Sequence, residues 1–171
     1  MQDYLIKPIG VVRSDYKEAS LTLQKADLEL DEEILSRTNK GNISELVINQ
    51  EYEDCLDGIE DFSHIMVLYW SHRTNDKQQH ITKVHPAGKR EYPLVGVFAT
   101  RSPVRPNPIC VTTVELLERR ENVLKVKSLD AVDGSPIIDI KVHSPSYDSP
   151  SNVKQADWME GLIKYFREKL K

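Results

Sequence analysis

Arg101, Arg105 and Asn107 stand close together in the chain, interleaved with Pro103, Pro106 and Pro108. Proline fixes φ and removes a backbone donor, so this stretch cannot be helix interior. Residues that precede proline are pushed to extended backbone. The chemistry on offer is recognition. Guanidinium forks match carboxylate or phosphate oxygens, and a stiff loop loses little entropy when it binds. A second constellation is Ser128-Leu129-Asp130-Ala131-Val132-Asp133-Gly134, with two aspartates around a tight turn. One carboxylate can cap the turn by accepting backbone donors. The other can accept from a ribose hydroxyl or an amine. His72 and Arg73 end an apolar run and are placed for ligand contact. His64, inside that run, reads as a core histidine.

What is missing narrows the chemistry. The chain has no GxGxxG, P-loop, HExxH or GxSxG motif. The glycine-rich phosphate cradles and the common hydrolase sites are therefore excluded. Cys55 and Cys110 form neither a CxxC pair nor a disulfide framework, and the five histidines have no metal-ligand spacing with them. No nucleophile–base pair stands out.

The elements that must position these groups are mostly strands. Residues 4–12 and 46–48 are rich in Ile and Val and read as strands. Residues 62–70 form an apolar run, expected to be a buried central strand that ends at His72. Residues 51–61 suit one or two helical turns broken by Gly58. Residues 15–31 are mixed. Residues 74–92 are polar and without period, the longest candidate loop. A short apolar strand over residues 95–100 is expected to run straight into Arg101. Residues 109–118 and 123–129 read as a hairpin turning at Glu121-Asn122, and Asp133-Gly134 marks a turn into a strand over 137–142. Many short strands with turn signals point to a mainly β domain closed into a barrel. Met159, Leu162, Ile163, Phe166 and Leu170 recur at helical spacing, which predicts a C-terminal amphipathic helix.

The 171 residues suit one domain. The expected division is a barrel over 1–150 and a helix over 151–171 that packs on the barrel or on a partner. Hydrophobic content of 39% and charged content of 29% are ordinary for a globular protein. The start, Met1-Gln2-Asp3-Tyr4, has no basic stretch or signal-type core, and a cytoplasmic protein is expected. A net charge of -4 argues against nucleic-acid binding through the whole surface. The charge is unevenly placed, however. Residues 45–63 hold seven acidic residues and no basic one, while residues 72–105 hold seven basic residues against two acidic. Such a bipolar chain can steer a polyanion to one face.

Four blocks in order resemble the TsaA-like (TrmO-type) family. They are Pro8-Ile9-Gly10-Val11-Val12-Arg13-Ser14, Gly58-Ile59-Glu60-Asp61-Phe62-Ser63-His64, Gly96-Val97-Phe98-Ala99-Thr100-Arg101-Ser102-Pro103 with Arg105-Pro106-Asn107-Pro108-Ile109, and the aspartate bend from Ser128 to Pro136. The resemblance implies a single β-barrel unlike the Rossmann-type methyltransferases. It implies an S-adenosylmethionine-dependent tRNA methyltransferase acting on N6 of threonylcarbamoyladenosine beside the anticodon, and a homodimer with the cofactor near the interface. Carried over by position, the cofactor contacts would be Gln24, His72, Arg73, Arg101, Val111, Ser128, Leu129 and Asp130, with Asp133 nearby. Around Gln24 the sequence Thr22-Leu23-Gln24-Lys25-Ala26 departs from the Pro-Arg-Gln type of segment found in many relatives. Charge and loop position single out Lys89, Arg90, Arg105 and Asn107 for the RNA side. Two other readings fit the same residues: a small-molecule methyltransferase of this fold, and a non-catalytic S-adenosylmethionine-binding module.

Overall fold

The computed structural model describes residues 4–24, 27–34, 41–74 and 80–169, with Leu23 and Gln24 described by backbone alone. Its strands are β1 (Gly10–Arg13), β2 (Leu21–Gln24), β3 (Asp27–Leu30), β4 (Ile43–Ile48), β5 (His64–Trp70), β6 (Lys83–Val84), β7 (Val95–Gly96), β8 (Ile109–Arg120), β9 (Val123–Lys127) and β10 (Pro136–Val142). Six of them close into a barrel in the order β1-β10-β5-β8-β9-β4, and each of these pairings is antiparallel.

The barrel closes around alternation. In β5, Ile65, Val67 and Tyr69 are buried while Met66, Leu68 and Trp70 lie half-buried on the other face. Across the ladder these inward residues meet Val114, Thr112 and Cys110 of β8. A barrel of this size has room only for side chains, and Leu46, Ile48, Ile65, Leu124, Leu129 and Ile137 fill it, each fully buried. Register shifts between Ile137 and Asp139 and between Leu116 and Glu118 bend β10 and β8 into the closed sheet.

A smaller lobe sits beside the barrel. The β2–β3 hairpin, the β6–β7 ribbon and a 3₁₀ turn at Pro86–Gly88 gather Leu28, Val84, Val97 and Val104 into a second core. Gly88 has φ +69°, and a Cβ there would stand 2.1 Å from the Leu28 carbonyl oxygen. Only glycine lets that turn press so closely on β3. Asp27 fastens the same contact, accepting from the backbone N–H of His85 at 3.1 Å and pairing with its ring. Two helices follow the barrel, α1 (Pro145–Asp148) and α2 (Asp157–Lys169). Among the described residues no helix is long and apolar enough to cross a membrane, and no cluster could hold a metal ion.

Several expectations need correction. The first strand begins at Gly10, not Tyr4, and Tyr4 and Leu5 are 86% and 89% exposed. The ladder to β4 starts at Gly10, and ahead of it Ile9 still bonds through its backbone to Ile137 and Asn49. The mixed stretch over 15–31 contains the β2–β3 hairpin. The polar stretch over 74–92 contains β6 and the Pro86–Gly88 turn. The strand leading to Arg101 stops at Gly96, and Val97–Ala99 is a 3₁₀ turn. His64 is exposed at the start of β5, its ring beside the Ser63 hydroxyl, rather than in the core.

Candidate functional site

The two sequence constellations converge. Arg101 and Asp130 both line one cavity of about 660 Å³, inside the roughly 300–1,000 Å³ range of small-molecule sites. Arg73, Arg105 and Val111 line it too. Its floor is the open end of the barrel, where Tyr69 and Cys110 meet across β5 and β8. Its far side is α2, through Trp158, Leu162 and Phe166. A smaller cavity of about 280 Å³ adjoins it, sharing Leu21, Ser71, Arg73 and Pro103.

Backbone geometry sets the aspartate bend. Ser128 enters it at φ 68°, an uncommon conformation outside glycine. Its N–H donates to the Asn42 carbonyl oxygen at 2.9 Å, and Asn42 Nδ2 donates to the Leu129 carbonyl oxygen at 2.9 Å. The Leu129 side chain is buried in the barrel core, which anchors the bend. Gly134, at φ +80°, turns the chain into β10, and its N–H donates to the Val12 carbonyl oxygen at 2.9 Å.

The two aspartates do different things. Asp130 accepts from the Tyr69 hydroxyl at 2.9 Å and from the Thr112 hydroxyl, both on Oδ1. Among the described residues Oδ2 accepts no hydrogen bond, and the residue faces the cavity. Asp133 accepts from the Ser14 N–H at 3.1 Å and pairs with Lys17 at 2.9 Å. The Lys17 contact foremost, and then the Ser14 N–H, hold its carboxyl below the usual value. Asp133 braces the loop after β1 and is not among the cavity's lining residues.

The arginines divide in the same way. Arg101 is exposed and donates one Nη2 bond to the Val111 carbonyl oxygen, which leaves further N–H groups of the guanidinium for a ligand. Arg105 is half-buried and donates Nη2 to the carbonyl oxygens of Val97 at 3.2 Å and Thr100 at 3.0 Å. It folds back on its own loop and holds the elbow's shape. Arg73 borders both cavities. His72 lies outside the lining, its ring 3.4 Å from the Ser135 hydroxyl, and burial, then the nearby Arg73 charge, lower its pKa. The Gln24 side chain lies outside the described residues. Of the RNA-side candidates, Lys89 places its ammonium over the Tyr165 ring at 3.8 Å, while Arg90 and Asn107 are exposed away from the cavity lining.

Other residues join the site that sequence reasoning did not single out. Burial, helped by the Asp130 charge, pushes the Cys110 thiol up to about 11, and the same causes raise the Tyr69 hydroxyl further. A neutral thiol and a neutral phenol thus surround one carboxylate. The strand alternation of β5 and β8 was the signal for Tyr69, Cys110 and Thr112, because it places all three on the inward face.

The sequence model of the tRNA-methyltransferase O N-terminal domain family matches residues 12–149. A "probable S-adenosyl-L-methionine-binding protein" of Methanothermobacter thermautotrophicus is 44% identical over 84% of this chain and 93% of its own length. Another of that name from Archaeoglobus fulgidus is 44% identical over 91% of this chain, which spans only 38% of that relative. The tRNA (adenine(37)-N6)-methyltransferase of Escherichia coli is 35% identical over 87% of this chain and 61% of its own length. In fold, the crystal structure of TrmO from Pseudomonas aeruginosa superposes with a TM-score of 0.66 at 23% identity, over 91% of this chain and 63% of that one.

Proposed function

The chain belongs to the family of the tRNA-methyltransferase O N-terminal domain, and on that premise we propose that it methylates tRNA from S-adenosylmethionine, at N6 of the threonylcarbamoylated adenosine beside the anticodon. The observation that carries this reading is the meeting of Arg101 and Asp130 in one cavity.

The residues present fit an adenosyl donor with an amino-acid tail. Asp130 offers Oδ2 to a ribose hydroxyl or an amine, and Tyr69 and Thr112 fix its orientation. Arg101 offers a guanidinium edge to a carboxylate. Ile109, Val111 and Val132 provide apolar wall, which suits a cation whose charge is lost during transfer. The donor supplies a methyl already activated on sulfur, so the protein's task is placement more than acid catalysis. No histidine lines the cavity among the described residues, and no side-chain base is assigned to the acceptor proton.

On the RNA side the reading rests on Lys89, Arg90, Arg105 and Asn107. Arg90 and Asn107 are the freer pair, because Lys89 lies on Tyr165 and Arg105 is bound to its own loop. The protein is further proposed to act in the cytoplasm as a homodimer. Phe98, 79% exposed, and Val111, 38% exposed, lie on the elbow and on the strand that follows it, as apolar surface for a second copy.

Transfer of labelled methyl from S-adenosylmethionine into tRNA, with and without prior threonylcarbamoylation, tests the reading. Incorporation is expected only into the carbamoylated RNA. Arg101→Ala should weaken donor binding roughly tenfold to a hundredfold, the span of one charge-assisted contact. Donor binding with no transfer to either RNA would favour a non-catalytic binding module. Unchanged affinity and turnover in Arg101→Ala would remove Arg101 from the site.

A further inference from the structure

We infer that α2 is a wall of the donor site, and that Trp158, Leu162 and Phe166 bind the apolar body of S-adenosylmethionine. The inference rests on the donor reading above and extends it to a segment outside residues 12–149, the part matched by the family.

An amphipathic helix normally buries its apolar stripe against side chains. Here Trp158, Met159, Leu162, Ile163 and Phe166 recur on one face of α2, and none is buried. They stay half-buried because what they face is the cavity that also holds Arg101 and Asp130. Among the described residues the helix is fastened along the flank that faces the small lobe. The Tyr165 hydroxyl donates to Glu32, Lys169 pairs with Glu32 at 2.6 Å, and Lys89 lies over the Tyr165 ring. Tyr92 packs on Trp158 with ring centroids 6.3 Å apart. These contacts hold the stripe in place across from the mouth of the barrel without filling the space between.

The occupant is specified from both sides. From the barrel come a guanidinium and a carboxylate with a free oxygen. From α2 come an indole, a phenyl ring and an aliphatic side chain. An adenosyl sulfonium with an amino-acid tail presents the matching chemistry: a flat apolar ring system, hydroxyls and an amine for Asp130, and a carboxylate for Arg101. Filling the cavity would bury the stripe, and the affinity gained should scale with the apolar area covered.

The chain has two tryptophans, Trp70 and Trp158, so Trp70→Phe leaves Trp158 as the single reporter. Titration of that variant with S-adenosylmethionine should shift Trp158 emission saturably. Leu162→Ala with Phe166→Ala should weaken donor binding roughly tenfold or more, read by calorimetry, while Lys164→Ala on the outer face should leave it unchanged. Because the fluorescence arm leaves the helix intact, it decides the matter even where the double variant loses its fold. Donor binding with no change in Trp158 emission and unaltered affinity in the double variant would overturn this inference and leave the donor reading standing. Failure of the wild-type protein to bind S-adenosylmethionine would overturn both.

Discussion

The elbow over residues 97–109 and the bend over residues 128–135 are built alike, and the difference within each is instructive. Each carries a charged group that lines the cavity with bonding capacity to spare, Arg101 and Asp130. Each carries another tied into the fold: Arg105 on the Val97 and Thr100 carbonyls, Asp133 on Ser14 and Lys17. Residue type does not separate the two roles. The bonds already made do: Arg105 Nη2 is engaged by two backbone carbonyls and both Asp133 oxygens are taken, whereas Asp130 Oδ2 accepts no bond among the described residues. The two regions differ in what holds them. The bend hangs on a buried leucine of the barrel core. The elbow is held by its own arginine over the small lobe, whose core cluster of buried side chains is Leu28, Val84, Val97 and Val104.

The sharpest way to break this comparison is to neutralise each aspartate in turn. Asp130→Asn keeps an acceptor for Tyr69 and Thr112 but removes the charge at the free oxygen. It should weaken S-adenosylmethionine binding by roughly tenfold to a hundredfold with little change in melting temperature. Asp133→Asn should do the reverse. The loop after β1 loses its charge-assisted contacts, a cost of about 1 kcal/mol, and donor affinity stays within about threefold. Calorimetry and thermal melts on the same preparations read both quantities. Equal loss of affinity in the two variants would erase the distinction.

The arginines offer a second contrast of smaller size. Arg105→Ala strips donors from two backbone carbonyls, at a cost of about 2 kcal/mol, or a fall of roughly 4–8 °C in a domain this large. Arg105→Lys should rescue little, because a single ammonium does not reproduce the fork. Arg101→Ala, at an exposed site, should move the melting temperature by less than about 2 °C. A larger thermal loss from Arg101 than from Arg105 would reverse their roles.

The barrel was legible where apolar strands and turn signals follow one another in the chain. Residues 62–70, read from an unbroken apolar run, became β5, and the hairpin turning at Glu121-Asn122 became β8 and β9. The small lobe was not legible. β2 and β3 are four-residue strands, and they lie in the stretch that the sequence shows only as mixed and, at its end, acidic. What makes β3 a strand is tertiary: Asp27 is taken up by His85, and Leu28 lies under Val84. The apolar start at Tyr4 and Leu5 misled in the opposite direction, since hydrophobicity without a partner strand stays exposed. In the site, Arg101 and Asp130, singled out by residue type, share a cavity. The helical stripe of α2 was read as packing because periodicity reports a buried face and not what buries it.

Acid sensitivity of the small lobe gives the mildest test of the contrast between the two cores. Burial alone would raise the Asp27 pKa, but bonds from the His85 ring, the His85 N–H and the Leu28 N–H outweigh it and hold the carboxyl below the ordinary aspartate value. A folded-state pKa below the unfolded one means the unfolded chain binds more protons in that window, so stability rises with pH there. The contribution is complete above about pH 4 and is lost as pH falls through the folded pKa. Asp27→Asn should therefore lower stability near neutrality while flattening the decline below about pH 4, with the two curves converging in acid. Urea unfolding at a series of pH values gives the difference curve. Amide exchange should place the loss in β3, β6 and the Pro86–Gly88 turn and leave β5 and β8 protected, since a lobe with its own small core opens separately from the barrel. A difference curve that stays constant down to about pH 2, or exchange that rises equally in β5, would mean that the lobe and the barrel unfold as one unit and that the Asp27–His85 contact is not what fastens them.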